Sequence, residues 1–174
     1  MAGDAQTGGH GGTQGFVVHG PLRGQGAVAE GILRALPGWF GIESSIVEYA
    51  AAADELPTFV AAPHARVAAD PARDVIGFVT VRPTSEDALE LHVMGVVAEW
   101  HRRGVGGALV ERAAAYARAE GFALLHVKTL AATDPDPGYA ATRAFYLAER
   151  FLPLEVFPEL WGPDDPCLVL VRPL

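Results

Sequence analysis

Cysteine occurs once in the 174 residues, at Cys167, and lysine once, at Lys128. A lone thiol excludes an internal disulfide framework and any multi-cysteine zinc site. It suits a reducing compartment, so a cytoplasmic location is expected. Serine is scarce too: Ser44, Ser45 and Ser85 are all there are, none lies in a GxSxG arrangement, and a serine hydrolase is disfavoured. The six histidines form neither HExxH nor HxH, so no metal is expected. No apolar run is long enough for a membrane span. The opening MAGDAQTGGHGGTQG has neither the basic start nor the apolar core of a signal peptide, and residues 1–15 read as a disordered Gly-rich arm.

Positive charge is also in short supply. Thirteen Lys and Arg against 21 Asp and Glu leave a formal charge of −8, and the arginines are spread along the chain. That is not the electrostatic footprint of a nucleic-acid binder. A cationic small molecule suits an acidic chain better. Half of the residues are apolar, enough to bury the core of one domain over residues 16–174.

Periodicity orders that domain as βααβββαβαββ. Phe16–Leu22 reads as a strand, and Gly24–Leu36 as a helix with Val28, Ile32, Leu33 and Leu36 at helical spacing. LPGWFG breaks the chain before a second helix over Ser44–Leu56. PTFVAAPHARVAA and DVIGFVTVRP read as strands joined by a turn around DPARD. Ala88–Trp100 is a long strand with Gly95 as its expected bulge. Val105, Leu109, Ala113, Tyr116 and Ala117 line one face of a helix ending near Gly121. FALLHVKTL, a helix from about Tyr139 to Arg150, and strands around LEVF and CLVLV complete the chain. The alternation predicts an α/β (α+β) fold, a mixed sheet with helices on both faces.

Between the long strand and its following helix stands HRRGVGGALV. A helix N-terminus offers unpaired N–H groups and a positive dipole end, and glycines let a ligand come close to that backbone, so this is an expected phosphate site. A Walker loop is excluded by the lack of a Lys-Ser/Thr pair, and a GxGxxG fingerprint from Gly104 by Leu109.

The remaining pattern resembles the GCN5-related N-acetyltransferase (GNAT) family, whose pyrophosphate loop reads Arg/Gln-x-x-Gly-x-Gly/Ala. Here it is His101-Arg102-Arg103-Gly104-Val105-Gly106, with His101 departing at the first position. TRAFYLAERF resembles the family's AxxxYxxxGF helix at Tyr146 and Phe151, with Thr142 and Arg150 departing, and Tyr139 stands where the family often has Asn. The resemblance implies a mixed, mostly antiparallel twisted sheet of about seven strands, and acetyl-CoA as cosubstrate. Its pantetheine would run beside Met94, Gly95, Val96 and Val97, its diphosphate on the segment His101, Arg102, Arg103, Gly104, Val105, Gly106 and Gly107. Tyr139, Arg143 and Tyr146 would add contacts from the later helix. Of the two arginines, Arg102 is the one expected to point into solvent. The thioester would fall between the fourth and fifth strands.

Acetyl transfer to an amine needs a path for the amine proton and a donor for the departing thiolate. Glu90 and His92 share a strand face. Glu90 falls at the family's general-base position, and His92, whose imidazole can accept a proton, is the alternative base. Tyr146 is the expected donor to the thiolate. Lys128 reads as a solvated strand-end charge, and Cys167 as an inert thiol, which favours direct transfer over an acyl-enzyme. By analogy with the family, the acceptor would meet Trp39, Phe40, Glu43 and Trp161, with Glu159, Asp164 and Asp165 drawing in a small, cationic amine. Family members are often dimers, and exposed apolar residues around Trp161 would serve that purpose. A catalytically silent acetyl-CoA sensor or interaction module is the alternative function.

Overall fold

A computed structural model describes residues 15–63, 74–133, 135–162 and 164–174. The elements are β1 (Phe16–Leu22), α1 (Gly26–Arg34), α2 (Glu43–Glu55), β2 (Thr58–Pro63), β3 (Gly77–Pro83), β4 (Ala88–Val96), α3 (Val105–Glu120), β5 (Leu124–Leu130), α4 (Pro137–Ala148), β6 (Leu152–Phe157) and β7 (Cys167–Pro173). Their order is that expected from periodicity. The arm's residues 1–14 and residues 64–73, which include all of DPARD but Asp74, lie outside the described residues.

Local chemistry sets several of the boundaries. α4 starts where the Asp136 carboxylate accepts from the Gly138 and Tyr139 amides and Pro137 opens the helix. α3 stops at Gly121, whose φ of 89° is the left-handed conformation that closes a helix. The start of α1 depends on another helix, because the Gly26 amide donates to Asp54 of α2 at 2.6 Å.

Among the described residues, seven strands form one sheet in the order β1-β2-β3-β4-β5-β7-β6, antiparallel except for β4 and β5. A parallel pair needs a crossover, and α3 provides it. α1 and α2 pack on one face over Val60, Phe78 and Val93. α3 and Tyr146 of α4 pack on the other, over Phe59, Val79, Leu89, Leu91 and Leu125. No helix among the described residues is long and apolar enough to cross a membrane.

Two expectations for the long strand need correction. It ends at Val96, and Ala98–Trp100 form a single 3-10 turn. The ladder has run out there, since Val96 pairs with Gly77, the first residue of β3. The bulge is at His92 and not at Gly95: Thr80 opposes Val93 and Val81 opposes Leu91, leaving His92 as the extra residue. Gly95 instead admits α1. A Cβ there would stand 2.9 Å from Ile32 and 3.4 Å from Leu36.

Candidate active site

The bulge decides which side chains of β4 reach the site. Strand alternation sends Leu89 and Leu91 toward α3, and the extra residue inverts the parity, so Met94 and Val96 also pack on that side. Glu90 and His92 lie on the opposite face, as their spacing predicts. Tyr49 of α2 meets the His92 ring edge-on at 5.4 Å.

β4 and β5 pair only at Ala88 with Leu124, Leu89 with Leu125 and Glu90 with His126. Beyond Glu90 the strands part. The gap opens into a cleft of about 1070 Å³ that runs from the glycine loop, past β4 and β5, to the connections between α1 and α2 and between β6 and β7. His92, Met94, Gly95, Val96, His101, Arg102, Gly104, Val105, Gly106, Gly107, Tyr139 and Tyr146 line it, as do Trp39, Phe40 and Trp161. Most of the residues named from sequence thus line one cleft.

At the loop end, Gly104 is the N-cap of α3 with φ 83°, a left-handed conformation that glycine adopts without strain. Among the described residues no side chain caps this helix, and its first turn carries no acid, so the leading amides are open to an anion. Glycine at 106 and 107 keeps the floor low: a Cβ on Gly106 would reach within 3.1 Å of Phe145, and one on Gly107 within 2.7 Å of the Glu149 carboxylate. The Thr129 hydroxyl, on the β5 wall, is buried without a hydrogen-bond partner among the described residues. An open amide cradle and an unsatisfied hydroxyl beside a parted strand pair fit a long, anionic, amide-bearing ligand.

Several assigned residues do other work. Arg103 lies over the Trp100 ring at 5.2 Å, and Arg102, expected to face solvent, is exposed where it lines the cleft, with φ 59°. Arg143 donates to the Leu130 and Ala131 carbonyls, tying α4 to the end of β5. Val97 packs against the core. The His101 imidazole contacts the Val96 carbonyl at 2.6 Å, which ties the loop back to the end of β4. Tyr139 donates its hydroxyl to the Trp39 carbonyl, and the Trp39 indole donates to Thr142. Glu43 does not line the cleft, and Arg34 holds both of its oxygens. Neither Glu159 nor Asp164 lines the cleft; Asp165 does.

Lys128 is not a solvated strand-end charge. It ion-pairs with Glu90 Oε1, while Arg82 donates to Oε2 through Nε at 3.0 Å and Nη2 at 2.6 Å. His92 Nδ1 stands 3.4 Å from the same oxygen. Burial by itself would raise the Glu90 pKa, but hydrogen bonds from His92, Lys128 and Arg82 outweigh it and hold the carboxyl well below the usual carboxylate range. Burial pushes the Tyr146 phenol far up, so it stays protonated. Arg82 and Tyr49 escaped sequence reasoning. The signal for Arg82 is its register opposite Glu90, and an unforeseen bulge two residues away hides that register.

The sequence matches the Acetyltransferase (GNAT) family over residues 33–147. No curated protein matches it. Among solved structures, a GNAT-family protein from Desulfovibrio desulfuricans superposes with a TM-score of 0.73 at 17% identity, covering 91% of this chain and 98% of that one. The ribosomal-protein-S18-alanine N-acetyltransferase from Escherichia coli gives a TM-score of 0.68 at 16% identity, covering 91% and 93%. A GNAT-family acetyltransferase from Elizabethkingia anophelis with acetyl-CoA bound gives 0.66 at 14%, covering 93% and 100%. These likenesses extend over nearly the whole domain, and the family match spans the glycine loop, the bulged strand and Tyr146. The chain belongs to the GNAT family of acetyltransferases, an acyltransferase with acetyl-CoA as its cosubstrate.

Proposed function

We propose that the protein moves an acetyl group directly from acetyl-CoA to the primary amine of a small molecule. The observation that carries this reading is the continuity of one cleft from the amide cradle, through the β4/β5 gap, to an aromatic chamber. Acetyl-CoA supplies a thioester carbonyl. The amide cradle from Arg102 to Gly107 holds the anionic end, and the edge of β4 at Gly95 and Val96 orients the arm.

His92 is the base, and Glu90 positions it. A carboxylate held so firmly ionised by Arg82 and Lys128 is a weak proton acceptor. Its oxygen 3.4 Å from Nδ1 favours the tautomer with the proton on Nδ1, leaving Nε2 basic. As the amine nitrogen bonds to the carbonyl carbon, its proton passes to His92 directly or through water. The carbon–sulfur bond breaks, and the protonated Tyr146 phenol, which lines the cleft, donates a hydrogen bond to the departing thiolate. Cys167 does not take the acetyl group. Its thiol is buried and pushed up by burial, which keeps it un-ionised and poorly nucleophilic.

The acceptor body rests against Trp39, Phe40, Ile42, Leu160 and Trp161. With Glu43, Glu159 and Asp164 away from the cleft, this chamber suits a compact amine with an apolar body better than a polycation. β6 forms a sheet edge with Leu152, Leu154 and Val156 all exposed, and two copies pair along it.

Calorimetric titration with acetyl-CoA, with ATP and NAD as controls, tests the cofactor end. Selective binding that Gly106→Glu abolishes is expected, because that change puts bulk and negative charge at the cradle. Folded protein that binds no acetyl-CoA would overturn the reading. His92→Ala should lower kcat at least a hundredfold with acetyl-CoA affinity kept. Unchanged turnover would sink the base assignment.

A further inference from the structure

The chamber end of the cleft carries a charge pattern that amine chemistry does not require. Arg82 on β3, Glu90 on β4 and Lys128 on β5 form a row across one sheet face, and all three line the cleft. The anion is the covered member. Glu90's side chain is 4% exposed, against 44% for Arg82 and 27% for Lys128, so an entering molecule meets the two cations. Both Glu90 oxygens are engaged, one by each cation, and neither is left to attract an ammonium. Two cations over one carboxylate leave a surplus of one positive charge. Arg82 Nη1 makes no hydrogen bond among the described residues, and Lys128 has two further N–H groups beyond its bond to Glu90.

A surplus cation beside a reacting amine would repel an ammonium-rich acceptor and lower the amine's affinity. It favours an acceptor that brings its own anion. On the rim, Asp165 lines the same cleft and pairs with no cation among the described residues, so the chamber presents separated charges of both signs between apolar walls. We propose that the acceptor is an amino-carboxylate with an apolar side chain, whose carboxylate binds Arg82 and Lys128 above buried Glu90. The apolar side chain lies against Trp39, Phe40 and Trp161, and Asp165 faces the ammonium as it enters. This inference rests on the N-acetyltransfer reading and specifies its acceptor class. The planar guanidinium, with one edge on Glu90 and Nη1 free, suits a carboxylate of single charge.

The test uses matched pairs: leucine with isopentylamine, phenylalanine with 2-phenylethylamine, and tryptophan with tryptamine. Acetylation kinetics and calorimetric binding to the CoA-saturated protein are read for each. For at least one pair, kcat/KM and affinity should favour the carboxylate member at least tenfold. Arg82→Gln should cut that ratio about tenfold, and Arg82→Lys should restore part of it. Taking the ratio cancels any general loss from disturbing Glu90 and His92. Equal or better use of the decarboxylated amines, or a ratio unmoved in Arg82→Gln, overturns the proposal while leaving N-acetyltransfer in place. A protein that binds acetyl-CoA yet neither binds nor acetylates any carboxylate member also overturns it. Failure to bind acetyl-CoA at all would instead remove the reading on which it rests.

Discussion

Glu90 shows how one residue's role follows from its neighbours. A carboxylate on a strand two residues from a histidine has the composition of a general base, and the spacing in ELH makes that visible without coordinates. Its two cations are what alter the chemistry, because they stabilise the ionised form against burial. Arg82 lies eight residues away across a bulged ladder and Lys128 on a strand that arrives after a helix, so neither pairing is readable locally. Glu90→Gln leaves Arg82 and Lys128 facing each other without an anion. It should destabilise the fold by roughly 2–3 kcal/mol at neutral pH, less than a fully buried pair because both cations keep some water. The Glu90 pKa is lowered on folding, so its stabilisation is complete above the unfolded-state value of about 4.3 and is lost as pH falls below it. Urea unfolding of both proteins should therefore show a gap at pH 7 that narrows toward pH 3. A gap independent of pH would mean that the lost stability is packing and not charge.

Elements decide where charges converge. α3 begins at a glycine loop that was legible in the sequence, since Gly104, Gly106 and Gly107 next to two arginines suit a helix start shaped for an anion. The opposing wall was not. Glu149, just past the end of α4, sets its carboxylate beside Gly107, and burial followed by the nearby Glu111 raises its pKa. A like charge within a few ångströms of a bound diphosphate costs on the order of 1 kcal/mol. Glu149→Gln should tighten acetyl-CoA binding about fivefold in calorimetry at neutral pH, and the two proteins should converge as pH falls and Glu149 protonates. Weaker binding in the variant would assign Glu149 a supporting contact instead. The bulge belongs to this scale as well. Alternation alone puts Glu90 and His92 on one face, but only pairing with β3 reveals that the parity then inverts.

At the scale of the whole molecule, the sheet closes on one side with β1 and on the other with β6. An edge strand presents unpaired N–H and C=O groups, and all six residues of β6 are exposed. Leu154 is 63% exposed and Leu152 58%, an expensive arrangement for a strand facing only water. Sedimentation at micromolar concentration should show a dimer, and Leu154→Glu should return a folded monomer with the far-ultraviolet spectrum unchanged. A monomeric wild type would leave β6 as a bare edge. A net charge of −8 does not by itself say how much acid reaches the cleft. The acids that make up that total are dispersed: Glu43 is bound to Arg34, and Glu159 and Asp164 lie away from the cleft.

The sequence by itself determined the element order, the place of the glycine loop at a helix start, and the shared strand face of the acid–histidine pair, because each depends on residues near one another along the chain. Periodicity, helix capping and phosphate binding at a helix start are local physics. Only the tertiary structure decided what surrounds those groups: the bulge at His92, the cations over Glu90, the carboxylate facing Gly107 and the bare edge of β6. Those depend on strand register and on the packing of elements distant in sequence, where a shift of one residue turns every side chain to the other face.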